Sequence, residues 1–581
     1  MLQHPEEKPG FELPANYLMQ LNSNKSHQPL ASDSQPLEDE KPEESPESTI
    51  PERNLSRQST TSTADPDIEA LAAKLTKSRG ETLPYTQERL EAEQELTLER
   101  TKSLAVVPKK TSDGIVLVDW YTNDDPANPY NWPVSRRHWT TFVMCFYTWV
   151  MYAASSMYAA SETGVMERFG VSYTKAVLPL SMYIIAYGVG PLLFGPLSEV
   201  PVVGRNPVYW IPFVFFFILS FPTAVVDNFA GLVVLRFLQG FMGSPAISNA
   251  GATFGDVYST IYVTYPLSWW VWSAWAGPAV GPLISGFAVM NKNWRWSMWE
   301  IVWMAVPVLV LLIVAMPETS SRTILLRRAQ RLRKLTGDSR LQSQSEIDQR
   351  HLTFSGIVVE ALVKPTEIML KDPAVLFVNL YTALFYGIYY TFFEVFPLVF
   401  PPMYGFNLGE TGLAFLSCQI GATIGLVSYF IYVRWWQIPH IQKHGISNHE
   451  YFMIPAMVGS FLLPVGLFIF AWTSRPDIHW IVPLIGVAIF VTGTVYVFQS
   501  VFLYIPLSYP KYAASLFAGN DISRASMAAG SVLYAHPLFV NLGVGKGVST
   551  LGGLSVIGII GTFLIYWFGA GLRARSKFAD K

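Results

Sequence analysis

Cysteine is nearly absent: 581 residues contain only Cys145 and Cys418. Both lie inside apolar runs, so no disulfide framework organises the chain. Charge is scarce too, at 14% of residues, where soluble domains carry about 25%. A phosphate-binding loop of the form GxxxxGK[ST] is missing. The nearest string, Gly543-Val-Gly545-Lys546-Gly547, lacks the hydroxyl after lysine, which excludes nucleotide hydrolysis as an energy source. Of nine histidines, only His536 lies deep in an apolar run, which argues against a membrane-embedded hydrolytic enzyme. His440, His444 and His449 share one loop, but without a cysteine their spacing is a weak metal signal. No metal, other cofactor or nucleic-acid partner is expected. The polar, acidic start does not resemble a cleavable signal peptide, so the first apolar run is expected to direct membrane insertion.

What is present is apolar surface. Hydrophobic residues make up 50% of the chain, aromatics 14%, and there are 18 Trp. Charge divides sharply along the sequence. Residues 1–135 carry 13 Lys/Arg and 24 Asp/Glu; residues 136–581 carry 28 and 19. The acidic head is too poor in apolar residues to offset chain entropy. Residues 1–117 therefore read as a disordered cytosolic tail, with a transient Glu-rich helix over about 87–102.

A bilayer crossing needs about 20 apolar residues. Six such runs fall near 139–160, 175–196, 207–226, 230–253, 264–289 and 297–316, completing a first unit over 118–316. A basic linker, 317–371, follows. Six more fall near 373–400, 410–433, 451–473, 480–502, 513–539 and 548–571, within a second unit over 372–581. This is an all-α integral membrane protein of twelve spans. With both termini in the cytosol, 20 of the 26 Lys/Arg outside the spans of 136–581 lie inside. Positive charge is retained on the cytosolic side, and the asymmetry fixes the orientation. The densest basic run, Arg327 to Lys334, reads as a solvated helix beside anionic lipid.

An inert anchor needs no charge within its spans, and ionisable groups at that depth point to function. Arg236 lies in the fourth span, where the alternative is a structural hydrogen-bonding role. Glu394 lies in the outer half of the seventh. An apolar site disfavours the ionised carboxyl, which suits it to take up and release a proton; the alternative is a water-exposed rim position. Asp521 and Arg524, three apart on one helix face, are expected to neutralise each other as a structural pair. In the fifth span, Gly277, Pro278, Gly281, Pro282 and Gly286 combine close helix approach with removed backbone donors. Such a seam packs tightly yet adjusts. Tyr152, Tyr386, Tyr390 and Tyr496, with Gln239, are candidates for a mostly aromatic small-molecule cavity.

Gly195-Pro-Leu197-Ser-Glu199 followed by Gly204-Arg205 resembles the signature loop between spans two and three of the major facilitator superfamily, with Val200 to Val203 lengthening it by two residues. The resemblance implies a charge latch of Glu199, Arg205 and Asp256 beside Gly204. Arg236-Phe-Leu-Gln239-Gly240 is similar to the family's fourth-span motif, whose arginine is implicated in proton transfer. Gly277 to Gly286 resembles the antiporter motif associated with exporters. Asn128-Pro-Tyr-Asn131-Trp132-Pro, Phe393-Glu394-Val-Phe-Pro397 and Tyr512 to Asn520 narrow the likeness to fungal twelve-span drug:proton antiporters, in the azole-, benomyl- and caffeine-resistance branch.

That likeness implies two six-helix bundles about one central site, with Arg236 and Glu394 coupling proton entry to expulsion of small apolar compounds. No cofactor beyond the proton gradient is implied. A proton-coupled nutrient importer and a membrane substrate sensor are the alternatives. The expected residence is the plasma membrane, ahead of the vacuole. Arg53 and Arg57 precede Ser56 and Ser59 in a pattern that suits a basophilic kinase.

Overall fold

The computed structural model describes residues 5–7, 11–22, 86–88, 90, 105–349, 363, 366–446 and 449–579. Ten helices or merged helix runs are long and apolar enough to cross a bilayer: Tyr173–Glu199, Arg205–Val225, Phe229–Val257, Thr264–Asn291, Trp296–Val314, Pro373–Tyr404, Leu408–His444, His449–Thr473, Ile481–Ser508 and Val544–Arg575. Val134–Ser156 and Ala513–Leu542 complete twelve. These two are the more polar helices. The first begins with Arg136, Arg137 and His138; the other carries Asn520, Asp521, Arg524 and His536. Below they are the first to twelfth spans in chain order.

Two bundles of six helices meet along a seam. The second span packs on the eleventh and the fifth on the eighth. Small residues set these distances. A methyl group added at Gly188 would overlap the Ala525 side chain, and one at Gly412 would overlap the Pro282 carbonyl. Lipid offers helices little hydrophobic reason to associate, so close backbone approach supplies the packing. Outward faces keep exposed apolar residues such as Trp303, Ile313, Val427, Ile431, Ile557 and Trp567, as a lipid-facing surface requires.

The side that carries the linker departs from expectation in two places. Within the stretch read as disordered, Ala15–Asn22 is helical. Tyr17 and Leu21 join Val116, Val118, Ala329, Leu332 and Leu341 in a small separate core. Val116–Leu117 pairs in parallel with Leu341–Gln342 of the linker. The basic run also differs from a solvated helix. It lies on Ser321–Thr336, started by the Ser320 hydroxyl, which accepts from Thr323 N, and ended at Gly337 (φ 71°). Its Arg328 is fully buried. Arg328 pairs with Glu6 (3.0 Å) and Asp125 (2.7 Å) and stacks over Tyr121 at 4.2 Å. Burial alone would weaken the guanidinium's hold on its proton; Asp125, Tyr121 and Glu6 reverse this and raise its pKa. Lipid headgroups are thus not what Arg328 meets: the chain's own acidic residues fill that place. Most of 87–102, and Ser56 and Ser59, lie outside the described residues.

Candidate functional site

Polar side chains gather in three layers, two of them at the seam and one within the first bundle. The middle layer is aromatic. Tyr187 and Tyr386 share a hydroxyl contact of 2.8 Å across the two bundles, and the Tyr187 hydroxyl donates to Tyr390 at 3.1 Å. The Tyr390 hydroxyl also contacts Ser155 Oγ at 3.2 Å, and Tyr152 packs edge-on against Tyr187. Tyr389 donates to the Trp275 carbonyl at 3.0 Å. A cavity of about 10 Å³ remains among Tyr152, Trp270, Trp275, Tyr386, Phe498 and Arg524. That volume holds about one water, so a drug-sized molecule requires the bundles to part.

Tyr152, Tyr386 and Tyr390 therefore converge as the sequence suggests. Gln239 and Tyr496 do not. The Gln239 side chain accepts from Arg236 (3.0 Å) and donates to Ser220 (2.7 Å), inside the first bundle. Tyr496 donates to Ser428 at 2.6 Å and packs beside Tyr429, Val433 and Ile438. Both residues lie on the wrong side of their helices. Arg524 is the reverse case. It pairs with Asp521, as expected, and its Nε donates to Asn520 Oδ1 (2.9 Å), yet it also lies over Tyr386 and Phe498 and lines the cavity.

Arg236 is fully buried and has no carboxylate partner among the described residues. Its Nη2 donates to the carbonyls of Ala154 (3.1 Å) and Ser155 (3.2 Å), where the first span loosens into the 3-10 turn Met157–Ser161. The guanidinium sits 4.3 Å from the Tyr183 ring, and Nε lacks a hydrogen-bond partner. Both Ala154 and Ser155 lie beside the tyrosine cluster, so Arg236 and Tyr390 meet at Ser155 from opposite sides.

Glu394 occupies the outer layer. It is fully buried, which removes the alternative of a water-exposed rim. Its Oε2 accepts from the Tyr173 hydroxyl at 2.5 Å, and its Oε1 is unpartnered. The same hydroxyl lies 3.3 Å from Glu162 Oε2, and Glu162 Oε1 is also unpartnered. The His536 ring stacks on Tyr173 with centroids 4.0 Å apart. Glu162 was not singled out in the sequence because it falls two residues beyond the first apolar run. Its signal is an acid beside Ser161 at the rim of a span that the chain then folds inward.

The layer next to the linker holds the latch. Arg205 bonds Asp256 bidentately, at 2.5 Å and 3.4 Å. Glu199 makes no ion pair among the described residues, and it acts on Arg205 and Asp256 only through charge at longer range. Glu318 is the acid at this corner. It accepts from the backbone N–H groups of Arg205 (3.1 Å), Asn206 (3.3 Å), Thr319 and Ser320. Gly204 (φ 80°) is required on two counts, since its conformation disfavours a side chain and a Cβ there would strike the Glu318 carboxylate.

The antiporter-type segment serves two seams at once. Cβ atoms at Gly277 and Gly281 would strike the first span at the Trp149 carbonyl (2.5 Å) and at Ser156. Pro282 and Gly286 instead face the eighth span at Gly412 and Leu408. Pro278 and Pro282 lie within the helix and leave unbonded carbonyls one turn earlier.

The Major Facilitator Superfamily family model matches residues 144–531. Among curated proteins, "MFS-type transporter pyvG" of Aspergillus violaceofuscus is 43% identical over 81% of this chain and 87% of its own length. "Cycloheximide resistance protein" of Candida maltosa is 38% identical over 82% and 88%. "Fluconazole resistance protein 1" of Saccharomyces cerevisiae is 37% identical over 80% and 85%. Among solved structures, the proton:xylose symporter XylE matches with a TM-score of 0.53 at 14% identity, covering 75% of this chain and 96% of its own. This last likeness concerns the fold alone.

Proposed function

Since the chain belongs to the major facilitator superfamily and is a membrane transporter, we propose that it expels small, largely apolar organic compounds in exchange for protons. One observation carries the proton half of this reading: Glu394 is a buried carboxyl at the seam of the two bundles and forms no ion pair among the described residues. An ionised acid in that position costs about 3 kcal/mol, on the order of a hundredfold bias in a two-state equilibrium. Protonation from outside removes the cost and favours the packed seam. Loss of the proton favours parting.

The tyrosine layer supports the substrate half. Aromatic faces accept flat apolar molecules with little specificity, while hydroxyls and Arg524 orient polar edges. Arg236 holds the carbonyls of the first span next to this layer, so a shift there reaches the outer layer through Ser155 and Tyr390. The Arg205–Asp256 pair and Glu318 fasten the cytosolic corner in the packed state. Both termini lie in the cytosol and the protein resides in the plasma membrane, in keeping with the lysine and arginine asymmetry and with resistance proteins among the relatives. Phosphorylation at Ser56 and Ser59 belongs to the same proposal, and intact-mass measurement of protein from stressed cells checks it.

The test is expression in a yeast lacking its own drug pumps, scored on a panel of azoles, cycloheximide and fluorescent dyes, with and without a protonophore. Expected is resistance to several compounds and loss of labelled substrate from cells, both removed by the protonophore. Protonophore-insensitive efflux would overturn the coupling. Accumulation in place of loss would make the protein an importer.

A further inference from the structure

Glu162 and Glu394 stand on opposite bundles, each buried, and only one group lies between them: the hydroxyl of Tyr173, at 3.3 Å and 2.5 Å. A tyrosine hydroxyl has one proton to donate. It cannot satisfy two carboxylates together. The second oxygen of each acid lacks a partner, and neither acid forms an ion pair among the described residues. The other titratable groups nearby are few. His536, from the eleventh span, stacks on the Tyr173 ring without a hydrogen bond to either carboxyl. Arg236 is turned to the Tyr183 and Tyr158 rings and to first-span carbonyls. Two ionised carboxylates held this way would repel across the seam with nothing to offset them.

We propose that Glu162 and Glu394 form one proton-binding dyad, bridged by Tyr173, and that the outer mouth closes only when the dyad holds a proton. One acid is then neutral and the bridging hydroxyl serves the other. Release of that proton leaves like charges on opposite bundles, which drives the outer mouth open. His536, half-buried against Tyr173, lies on the outer approach to the pair. The dyad deepens the antiport reading and rests on it for its role in transport, but its titration is measurable without transport.

The experiment is infrared difference spectroscopy of the purified full-length protein, following the carboxylic acid C=O band as pH is raised. Expected is a band that disappears with one midpoint in the unmodified protein. In Glu162→Gln or Glu394→Gln the midpoint falls by about one pH unit or more, because the like charge is gone. The band is lost in the double variant. Glu162→Asp restores the coupled behaviour, which a merely structural role for Glu162 would not do. An unchanged midpoint in Glu162→Gln overturns the dyad. Absence of proton-driven efflux in proteoliposomes of unmodified protein, with the coupled titration intact, would instead overturn the antiport reading and leave the dyad standing.

Discussion

The molecule buries charge both in the cap built from tail and linker and at the seam between its bundles, with opposite outcomes. In the cap, Arg328 lies between Glu6 and Asp125, and Arg331 adds a longer contact to Glu6 at 3.4 Å. At the opposite end of the molecule, Glu162 and Glu394 face each other over one hydroxyl, with no ion pair to either acid among the described residues. The first cluster is neutral as built and ties the tail to the linker. The second becomes neutral only by taking up a proton. Buried charge that finds its counter-ion within the chain acts as a fastener, whereas buried charge that does not becomes sensitive to the medium. The difference separates a fixed joint from a moving one.

The most direct way to break this contrast is to give the outer cluster what the inner one has. Glu162→Lys places a cation opposite Glu394. The pair then closes the outer mouth without a proton, and proton-driven efflux falls at least about tenfold. Thermal stability in detergent is expected to hold or rise. Retained efflux with ordinary pH dependence would show that the two acids are not what opens the mouth.

The converse change strips the inner cluster of its cation. Arg328→Met leaves Asp125 buried without a cation and Glu6 with only the longer Arg331 contact, at a cost of about 3–5 kcal/mol. The cap formed by Ala15–Asn22 and Val116–Leu117 is expected to detach, read as lost hydrogen-exchange protection over 11–22. Adding Glu6→Gln and Asp125→Asn to the same chain should recover much of that protection. If protection in the single variant equals that of the unmodified protein, Arg328 is not the fastener.

Why one cluster was legible in the sequence and the other was not follows from where their members lie. The spans are readable because a bilayer demands a fixed apolar length, and Arg236 and Glu394 stand out because charge at that depth is costly. Arg328 looked solvated because a run of arginines on a short helix usually is. Its partner Glu6 lies more than 300 positions away, and no local pattern signals such a contact. Glu162 was passed over because it falls just outside an apolar run, and only the fold turns it inward. Gln239 and Tyr496 were misplaced for a related reason: residue type does not say which side of a buried helix meets the cavity. Glu318 was not legible as a member of this corner because it lies more than 100 positions from Arg205 and Asn206, whose backbone N–H groups it accepts from.

The smallest effect lies within the cap itself. Burial pushes the Asp119 carboxyl up to about 6, against the ordinary carboxylate range, despite lowering by the Trp120 N–H and Arg328. Between about pH 4 and 6 the docked cap therefore binds a proton that the open chain has released. Docking is strongest below that window and weakens as pH rises through it. Asp119 is only partly covered, so water screens the effect and the change is on the order of 1 kcal/mol. Protease protection of the tail should fall modestly from pH 4 to pH 6.5 and then level off, while Asp119→Asn flattens the curve. The outer dyad responds to pH in the same direction but moves a whole bundle. A slope at the cap as steep as that of the dyad would mean that the Arg328 cluster is not the neutral joint its geometry describes.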